Sequence, residues 1–439
     1  MSSTAIGIAS VACMLLLIWG GMHVGVALAA LSFVGVWLIR GDAGVAANLL
    51  ALAVNDVIAD YVFGVVPLFV LMGLLVSVAD IGRETFEVAN HFFRRVRGGL
   101  GIATVAANAV FAAITGISIA SAAVFTKVAV PEMLRHGYTP RFAVGVVAGS
   151  SVLGMLIPPS LLLILYGVIT ERSIGDLFIA GILPGIVLAV AFGIGILAMG
   201  RWFPRYVGGH RPESAEAAAP RLSPATMVAR LVPVIALVAL VLGGLYGGLF
   251  TPTEAGAVGA AGALVLAAAK RRLTPDALWK VLVETGHITA AICFLIIAAS
   301  VYSRMLAVSG VTDFLATAIV ESGLGQAGFI ALFVLVVIAL GTILDSSSIL
   351  LVTVPLALPA LAGFGVDLVW FGIVTLIAVE IGLLTPPFGI AVFVIKATLG
   401  KESPITLGEI FAGAAPFAAI MAAVLVLVIL YPPLATALL

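Results

Sequence analysis

Two short stretches of the chain combine hydroxyl side chains with residues that break helices, inside sequence that is otherwise apolar. The first reads ITGISIAS over residues 114–121, and IPPS follows at residues 157–160. Proline donates no backbone N–H and clashes with the carbonyl four residues earlier, so two prolines in succession free several carbonyl oxygens. Serine hydroxyls beside freed carbonyls are hard oxygen ligands suited to Na⁺, and half-helix N-termini present positive dipole ends to an anion. The pattern favours binding of a cation and an anion at one place.

The same combination occurs a second time, shifted by 228 residues. DSSS at 345–348 repeats the serine-rich stretch, and TPP at 385–387 repeats the double proline. Without a gap, the shared positions are Ser118 with Ser346, Pro131 with Pro359, Gly137 with Gly365, Gly154 with Gly382, and Pro158-Pro159 with Pro386-Pro387. Irregular backbone inside lipid is tolerated only where it is buried in protein or lines a cavity, and a duplicated pair of interrupted segments points to a transporter's binding site. Kinks without function are the alternative, and the equal spacing of both copies argues against it.

Composition places the chain in a membrane. Hydrophobic residues make up 63% of it and charged residues 10%, with a mean hydropathy of +1.28. Soluble domains are about 45–50% apolar and about 25% charged. A net charge of +0 excludes the basic surface that nucleic acid requires. HExxH, nucleophile–base and phosphate-loop patterns are also missing, so no enzyme is expected.

Apolar runs of about 20 residues predict an all-α polytopic membrane protein. The predicted spans are 4–19, 22–39, 61–80, 141–170 and 174–200 in the first half, and 227–247, 251–269, 285–307, 367–398 and 405–432 in the second. The fourth span of each half is broken at its Pro-Pro pair. The stretches at about 98–136 and 326–363 are interrupted at residues 115–121 and 345–348. They are predicted to be helical hairpins that enter and leave the membrane on one side.

The order of elements predicts two repeats, over residues 1–205 and 227–439, joined by a cytoplasmic linker at 206–226. Because each repeat has five spans, an odd number, the second must be inverted relative to the first. With the linker in the cytoplasm, 17 of the 21 Lys and Arg residues fall on that side, and only Arg40, Arg172 and Arg304 fall on the other. This split follows the positive-inside rule and predicts that both termini face outward.

Among the ionisable residues, Asp345 is the one best suited to an ion or substrate path, because a carboxylate at membrane depth is costly. A cap on the hairpin tip, accepting backbone N–H bonds, is the alternative. Glu254 and Glu380 also lie near or within apolar runs and are interpreted as structural. Tyr166 and Tyr302 are further possible substrate contacts.

At these residues the chain resembles the large membrane subunit of the tripartite ATP-independent periplasmic (TRAP) transporters, the DctM-type subunit. The matching stretches extend over almost the whole chain. They include RGGLGIATVAANAVFAAITGISIASAA, VPEMLRHGY, IPPSLLLILYGVITERSIGDLFIAGILPG, GLFTPTEAGAV and GLLTPPFGIAVFV.

The resemblance implies a Na⁺-coupled elevator in the bacterial inner membrane, in which hairpins and Pro-Pro helices slide against a scaffold with both termini periplasmic. It implies a small four-span membrane subunit (DctQ-type), here a separate chain, and a periplasmic substrate-binding protein. The implied substrate is an organic anion such as a C4-dicarboxylate or sialic acid. Lipid surrounds the assembly.

The resemblance also implies which residues bind. Carried over by motif, one Na⁺ site would comprise Ser118, Ser121, Gly154, Ile157 and Pro158, and the other Asp345, Ser346, Ser347, Gly382, Thr385 and Pro386. The predicted substrate contacts are Gly116, Ser118, Pro159, Ser160, Ser347, Ser348 and Pro387. Ligation by side chains and ligation by backbone carbonyls both stay open.

Two other functions stay open at this point. A stand-alone Na⁺- or H⁺-coupled divalent-anion symporter would share this architecture and need no binding protein. A membrane enzyme or channel belongs to a different class, and transport that requires Na⁺ and saturates with substrate would exclude a simple channel.

Overall fold

The computed structural model describes residues 2–93, 96, 98–209, 222–321, 323–387 and 389–439. Over these residues the chain is helical, with short turns and one isolated backbone bridge between Tyr138 and Gly208. The predicted all-α class is confirmed. Most of the predicted linker, residues 210–221, lies outside the described residues.

The helices of the first half lead to a hairpin, a broken helix and one long helix. They are α1 (Ser3–Trp19), α2 (Val24–Arg40), α3 (Ala43–Ala59), a 3₁₀ turn (Tyr61–Gly64), α4 (Val65–Val78), α5 (Ile81–Phe93), α6 (Gly99–Thr115), α7 (Ser118–Arg135), α8 (Pro140–Ser151), α9 (Leu153–Leu156), α10 (Leu161–Thr170), α11 (Ile174–Trp202) and α12 (Pro204–Val207).

The second half follows the same order. Its helices are α13 (Pro224–Tyr246), α14 (Pro252–Ala269), α15 (Pro275–Ser309), α16 (Val311–Glu321), α17 (Gly325–Gly341), α18 (Ser346–Gly363), α19 (Leu368–Leu384), α20 (Ile390–Leu399), α21 (Leu407–Leu430) and α22 (Pro433–Thr436). Shifted by 228 residues, α6 and α7 coincide with α17 and α18, and the broken helix α8–α10 with α19–α20. One difference is that α3 and α4 correspond to the single 35-residue helix α15.

Each predicted span coincides with a helix or broken helix, but the structure adds α3, which the apolar pattern does not predict. Six of the described helices are at least 18 residues long and apolar enough to cross a membrane: α11, α13, α14, α15, α18 and α21. Two bent pairs raise this number to eight, α4 with α5 at 61° and α8–α9 with α10 at 42°. The helices α1 and α2 have 17 residues each, one short of that length.

Both hairpin interruptions are shorter than predicted. The first covers only Gly116 and Ile117, and the second covers residues 342–345. Ser118 and Ser346 are therefore the first residues of α7 and α18, and Ser121 lies within α7. The serine-rich runs start the second helix of each hairpin, because serine near a helix N-terminus costs little there.

Local sequence explains where many of the helices begin. Thr139-Pro140, Ser223-Pro224, Thr251-Pro252 and Thr274-Pro275 each place a hydroxyl at the N-cap and proline in the first turn. The hydroxyl accepts an otherwise unpaired backbone N–H, and proline lacks the N–H that would have no partner there. Thr251 and Thr406 each complete a capping box with the glutamate three residues later.

The two halves are interleaved rather than side by side. In one set of helices (α1–α4 and α13–α15, the non-hairpin group), α4 packs on α14 and α2 packs on α15. In the other (α6–α11 and α17–α21, the hairpin group), α7 packs on α20 and α10 packs on α18. Within each group the two contacts are the same contact with the roles of the halves exchanged. Such reciprocity is the signature of a two-fold relation.

The helix α5 joins the two groups and is held by charge. It leads from α4 into the first hairpin and packs on α6. Three ion pairs connect it or its preceding turn to the ends of α13 and α14: Glu87 with Arg230, Glu84 with Lys270, and Asp80 with Arg272 at 3.6 Å.

Candidate ion and substrate site

The tip of the first hairpin is seated on the first Pro-Pro break. Gly116 ends α6 in the left-handed region (φ 62°), and its carbonyl accepts a hydrogen bond from the backbone N–H of Leu161 at 3.2 Å. A Cβ at Gly116 would lie 2.4 Å from the carbonyl oxygen of Pro159. Only glycine suits this position, because any side chain would clash and most would be strained at this φ.

The start of α7 lies against α9 at Gly154. A Cβ there would lie 3.1 Å from the carbonyl carbon of Ile117 and 3.2 Å from the backbone nitrogen of Ser118. Ser118 and Ser121 are both buried, and the Ser121 Oγ has no hydrogen-bond partner in the described part of the chain. A buried hydroxyl without a partner is costly, and a cation supplies what is missing. The residues predicted to form the first Na⁺ site are thus brought together and fit that ion.

The break itself is enclosed from the other side by α11. A Cβ at Gly181 would lie 2.6 Å from the Leu156 carbonyl oxygen, and one at Gly185 would lie 2.7 Å from Ile157. Pro158 and Pro159 are buried. The first break is therefore a tight junction between the hairpin tip and α11.

Ser160, a predicted substrate contact, caps α10. Its hydroxyl donates to the Met155 carbonyl oxygen and accepts from the Leu163 N–H at 3.3 Å. Both functions of the hydroxyl are therefore occupied in this conformation. Its role towards an anion stays a prediction.

The second tip is built around an aspartate cap. Asp345 is the N-cap of α18, where its carboxylate accepts the Ser348 N–H at 3.2 Å and the Ser348 hydroxyl. Ser346 and Ser348 are buried, whereas Asp345 and Ser347 are half-buried. The capping role, the alternative interpretation of Asp345, is thus present in the structure, and it leaves an ion role untested.

The second break does not repeat the contacts of the first. A Cβ at Gly382 would lie 2.6 Å from the Gly341 Cα and 2.8 Å from the Ile338 carbonyl oxygen. Gly382 therefore lies against the first helix of its hairpin rather than against the tip. Thr385 donates its hydroxyl to the Ile381 carbonyl at 2.7 Å, and Pro386 and Pro387 are exposed. One tip is seated and one break is open, although the motifs are duplicated.

Glu380 is a residue that sequence reasoning interpreted as structural. Its side chain is 2% exposed, its Oε1 lies 3.5 Å from the Ser346 Oγ, and its Oε2 has no partner among the described residues. At the shift of 228 residues its counterpart is Val152. An ionisable residue in one copy opposite valine in the other is the signal that could have singled it out.

The first repeat has a polar pair of its own. The Asn108 side-chain amide donates to the Ser150 Oγ at 2.6 Å, joining α6 to α8, and both residues are fully buried. The counterparts are Val336 and Ala378. The two copies therefore differ in the polar groups placed behind their breaks.

The two tyrosines considered as substrate contacts serve packing instead. Tyr166 is fully buried on α10 and donates to the Leu368 carbonyl oxygen at 2.6 Å. Tyr302 lies 3.2 Å from the Ser10 Oγ and is also buried. Both tie helices of one half to helices of the other.

A cavity of about 360 Å³ lies between the two groups of helices. Its walls come from α15 and the end of α3 on one side, and from α10 and α18 on the other. Arg304 and Asp56 form an ion pair at 2.7 Å on its non-hairpin side, and Glu171 and Pro355 face it from the hairpin group. The boundary between the groups is therefore not close-packed at this level.

Duplicated hairpins whose breaks lie beside interrupted helices define a polytopic membrane protein of the secondary-transporter class. Residues 11–434 match the family model of the tripartite ATP-independent periplasmic transporter, DctM component. The chain belongs to this family, so the resemblance found in its motifs is confirmed. Membership implies a small permease subunit and a periplasmic binding protein as partners.

Relatives share the family but not one substrate. The C4-dicarboxylate TRAP transporter large permease protein DctM of Pseudomonas aeruginosa is 32% identical over 393 residues, covering 89% of this chain and 88% of that protein. The sialic acid TRAP transporter large permease protein SiaM of Vibrio cholerae is 29% identical, covering 95% and 94%. The ectoine TRAP transporter large permease protein TeaC of Halomonas elongata is 29% identical, covering 97% of each. The likeness alone does not select a substrate.

Two solved structures have a similar fold. The YdaH transporter of Alcanivorax borkumensis matches with a TM-score of 0.57 at 14% identity, over 85% of this chain and 87% of that one. MtrF of Neisseria gonorrhoeae, from a class of antimetabolite efflux pumps, matches with a TM-score of 0.56 at 13% identity, over 86% and 83%. At such low identity these matches concern the fold alone.

Proposed function

We propose that this chain is the large membrane subunit of a Na⁺-coupled, binding-protein-dependent transporter that imports an organic anion. Its substrate is a carboxylate such as a C4-dicarboxylate or sialic acid, the kinds named for several relatives. Its partners are a separate four-span small subunit and a periplasmic binding protein. It lies in the bacterial inner membrane with both termini in the periplasm.

The observation that carries the proposal is the junction between the first tip and the first break. There the Ser121 Oγ is buried without a partner, beside the start of α7 and the breaks around Gly154 and Pro158. Such a junction offers oxygen ligands to Na⁺ and helix N-termini to a carboxylate. Binding of either ligand favours the seated tip, which couples their movements.

An elevator motion is the mechanism we infer for the hairpin group. The cavity at its boundary with the non-hairpin group provides a surface that need not be close-packed in every state. The different seating of the two tips supports movements of each hairpin independent of the other. In the proposed orientation, the first hairpin opens from the cytoplasm and the second from the periplasm.

The energetics favour Na⁺ as the driving ion. Each net positive charge moved inward gains about 2.3 kcal/mol per 100 mV of membrane potential. Two Na⁺ ions neutralise a dicarboxylate, and they leave one net positive charge with a monocarboxylate. The concentration gradient of Na⁺ contributes in both cases.

Reconstitution of the permease complex in liposomes tests the proposal. Uptake of labelled substrate from the loaded binding protein should require an inward Na⁺ gradient and should saturate with substrate. Replacing external Na⁺ by choline is the control and should abolish uptake. Uptake without the binding protein would favour a stand-alone symporter, and uptake driven by a proton gradient alone would refute Na⁺ coupling.

A further inference from the structure

The most unusual buried group of the hairpin group is the carboxylate of Glu380. It lies on α19, two residues before Gly382, and is 2% exposed. No described Lys, Arg or His forms an ion pair with it. Its single hydrogen-bond contact is to Ser346, the first residue of α18, and one carboxylate oxygen has no partner.

A carboxylate in this position needs compensation. An ionised carboxylate that is removed from water without a partner is strongly destabilising, so buried charges in proteins are paired or coordinate metals. The N-terminus of α18 supplies a partial positive charge next to Ser346. It leaves the second carboxylate oxygen unsatisfied, and a bound cation would satisfy it.

The distance between Glu380 and Ser346 suits shared ligation better than a direct bond. An O–H···O hydrogen bond is usually about 2.7–2.8 Å long, and these two oxygens are 3.5 Å apart. Oxygen ligands lie about 2.3–2.6 Å from Ca²⁺, a cation close to Na⁺ in size, so neighbouring ligands in an octahedral shell are about 3.3–3.7 Å apart. The observed separation falls in that range.

We propose that the Glu380 carboxylate and the Ser346 hydroxyl bind a monovalent cation at the second hairpin, and that Glu380 gives this site a fixed negative charge. The first site has no such charge, because Val152 stands at the equivalent position and its ligands are the neutral oxygens around Ser118 and Ser121. The two cation sites are therefore unequal. This inference rests on the proposed Na⁺ coupling and assigns a ligand within it.

Inequality of the sites has a measurable consequence. A charged ligand strengthens cation binding more than a neutral one, since its attraction in a low-dielectric site is larger. The second site should therefore fill at lower Na⁺ concentration than the first. Neutralising Glu380 should remove that difference.

Na⁺ titration of thermal unfolding, on the purified permease with its small subunit, tests the inference, because an ion that binds only the folded state raises Tm. Glu380→Gln, which keeps the shape of the side chain, should raise the Na⁺ concentration for half-maximal stabilisation at least tenfold. Ser346→Ala should raise it to a smaller extent. Glu402→Gln, at an exposed position, is the matched control and should leave it unchanged.

Three outcomes would contradict the inference. If Glu380→Gln lowers Tm without Na⁺ but responds to Na⁺ as the wild type does, the carboxylate only stabilises the N-terminus of α18. If Glu380→Gln cannot be purified and Ser346→Ala responds as the wild type does, the shared site is also refuted. If the wild type itself shows no Na⁺ response while choline and Na⁺ act alike, both the inference and the proposed Na⁺ coupling fail.

Discussion

Replacing Gly116 by alanine separates the seating of the first tip from the general cost of its backbone conformation. Alanine in the left-handed region costs about 1–2 kcal/mol. At Gly116 the new Cβ would also lie 2.4 Å from the Pro159 carbonyl oxygen, so the tip must move and the Leu161 hydrogen bond is lost. A buried backbone group left without its partner costs about 1–3 kcal/mol more.

The chain offers a matched control at Gly365. It has nearly the same φ, 65°, and a Cβ there would meet nothing within 4 Å. Gly365→Ala should therefore show the conformational cost alone. The difference between the two variants isolates the additional cost of about 1–3 kcal/mol at the junction.

Na⁺ affinity is the quantity to measure. If the seated tip is the state that binds Na⁺, a coupling of 1–3 kcal/mol weakens binding about 5- to 150-fold. The half-maximal Na⁺ concentration, from uptake in liposomes and from thermal unfolding, should rise by that factor in Gly116→Ala and not in Gly365→Ala. Equal Na⁺ affinities in the two variants would refute the role of the seated tip.

Two further predictions concern the second hairpin and the topology. Asp345→Ala should lower the unfolding free energy by about 0.5–2 kcal/mol, whereas Asp345→Asn should retain it because asparagine caps as well as aspartate; equal losses in thermal unfolding would contradict the capping role. A cysteine replacing Ala217, in a Cys13→Ala background, should react with a membrane-impermeant maleimide only from the cytoplasm. Labelling from the periplasmic side would reverse the proposed orientation.

The repeat carried much of the fold because its anchors are conformational. Pro158-Pro159 and Pro386-Pro387 interrupt helices wherever they stand, and equal spacing from Ser118 and Ser346 then places the surrounding helices. The extent of the hairpin interruptions was wrong, because serine is compatible with both a break and the first turn of a helix.

The missing helix α3 has a different reason. Asn48, Asn55 and Asp56 interrupt its apolar sequence, and its 17 residues are fewer than a span needs. It is held by packing against α2 and α15, and such tertiary contacts leave no periodic signal. Tertiary packing commonly overrides weak local preference.

The functional asymmetry could not be predicted from one motif at a time. Both copies have glycine at position 154 or 382, yet one lies against a hairpin tip and the other against Gly341. Glu380 was interpreted as structural because its contact, Ser346, lies 34 residues away and becomes adjacent only in the folded chain.

The reciprocal packing of the two halves has an evolutionary consequence. A symmetric dimer of one short chain would carry every substitution twice, so it could hold a glutamate behind both breaks or behind neither. Once two copies are joined in one polypeptide, each can change alone while the contacts between them persist. The valine at position 152 opposite Glu380, and Val336 opposite Asn108, are differences that only such a fused chain can keep.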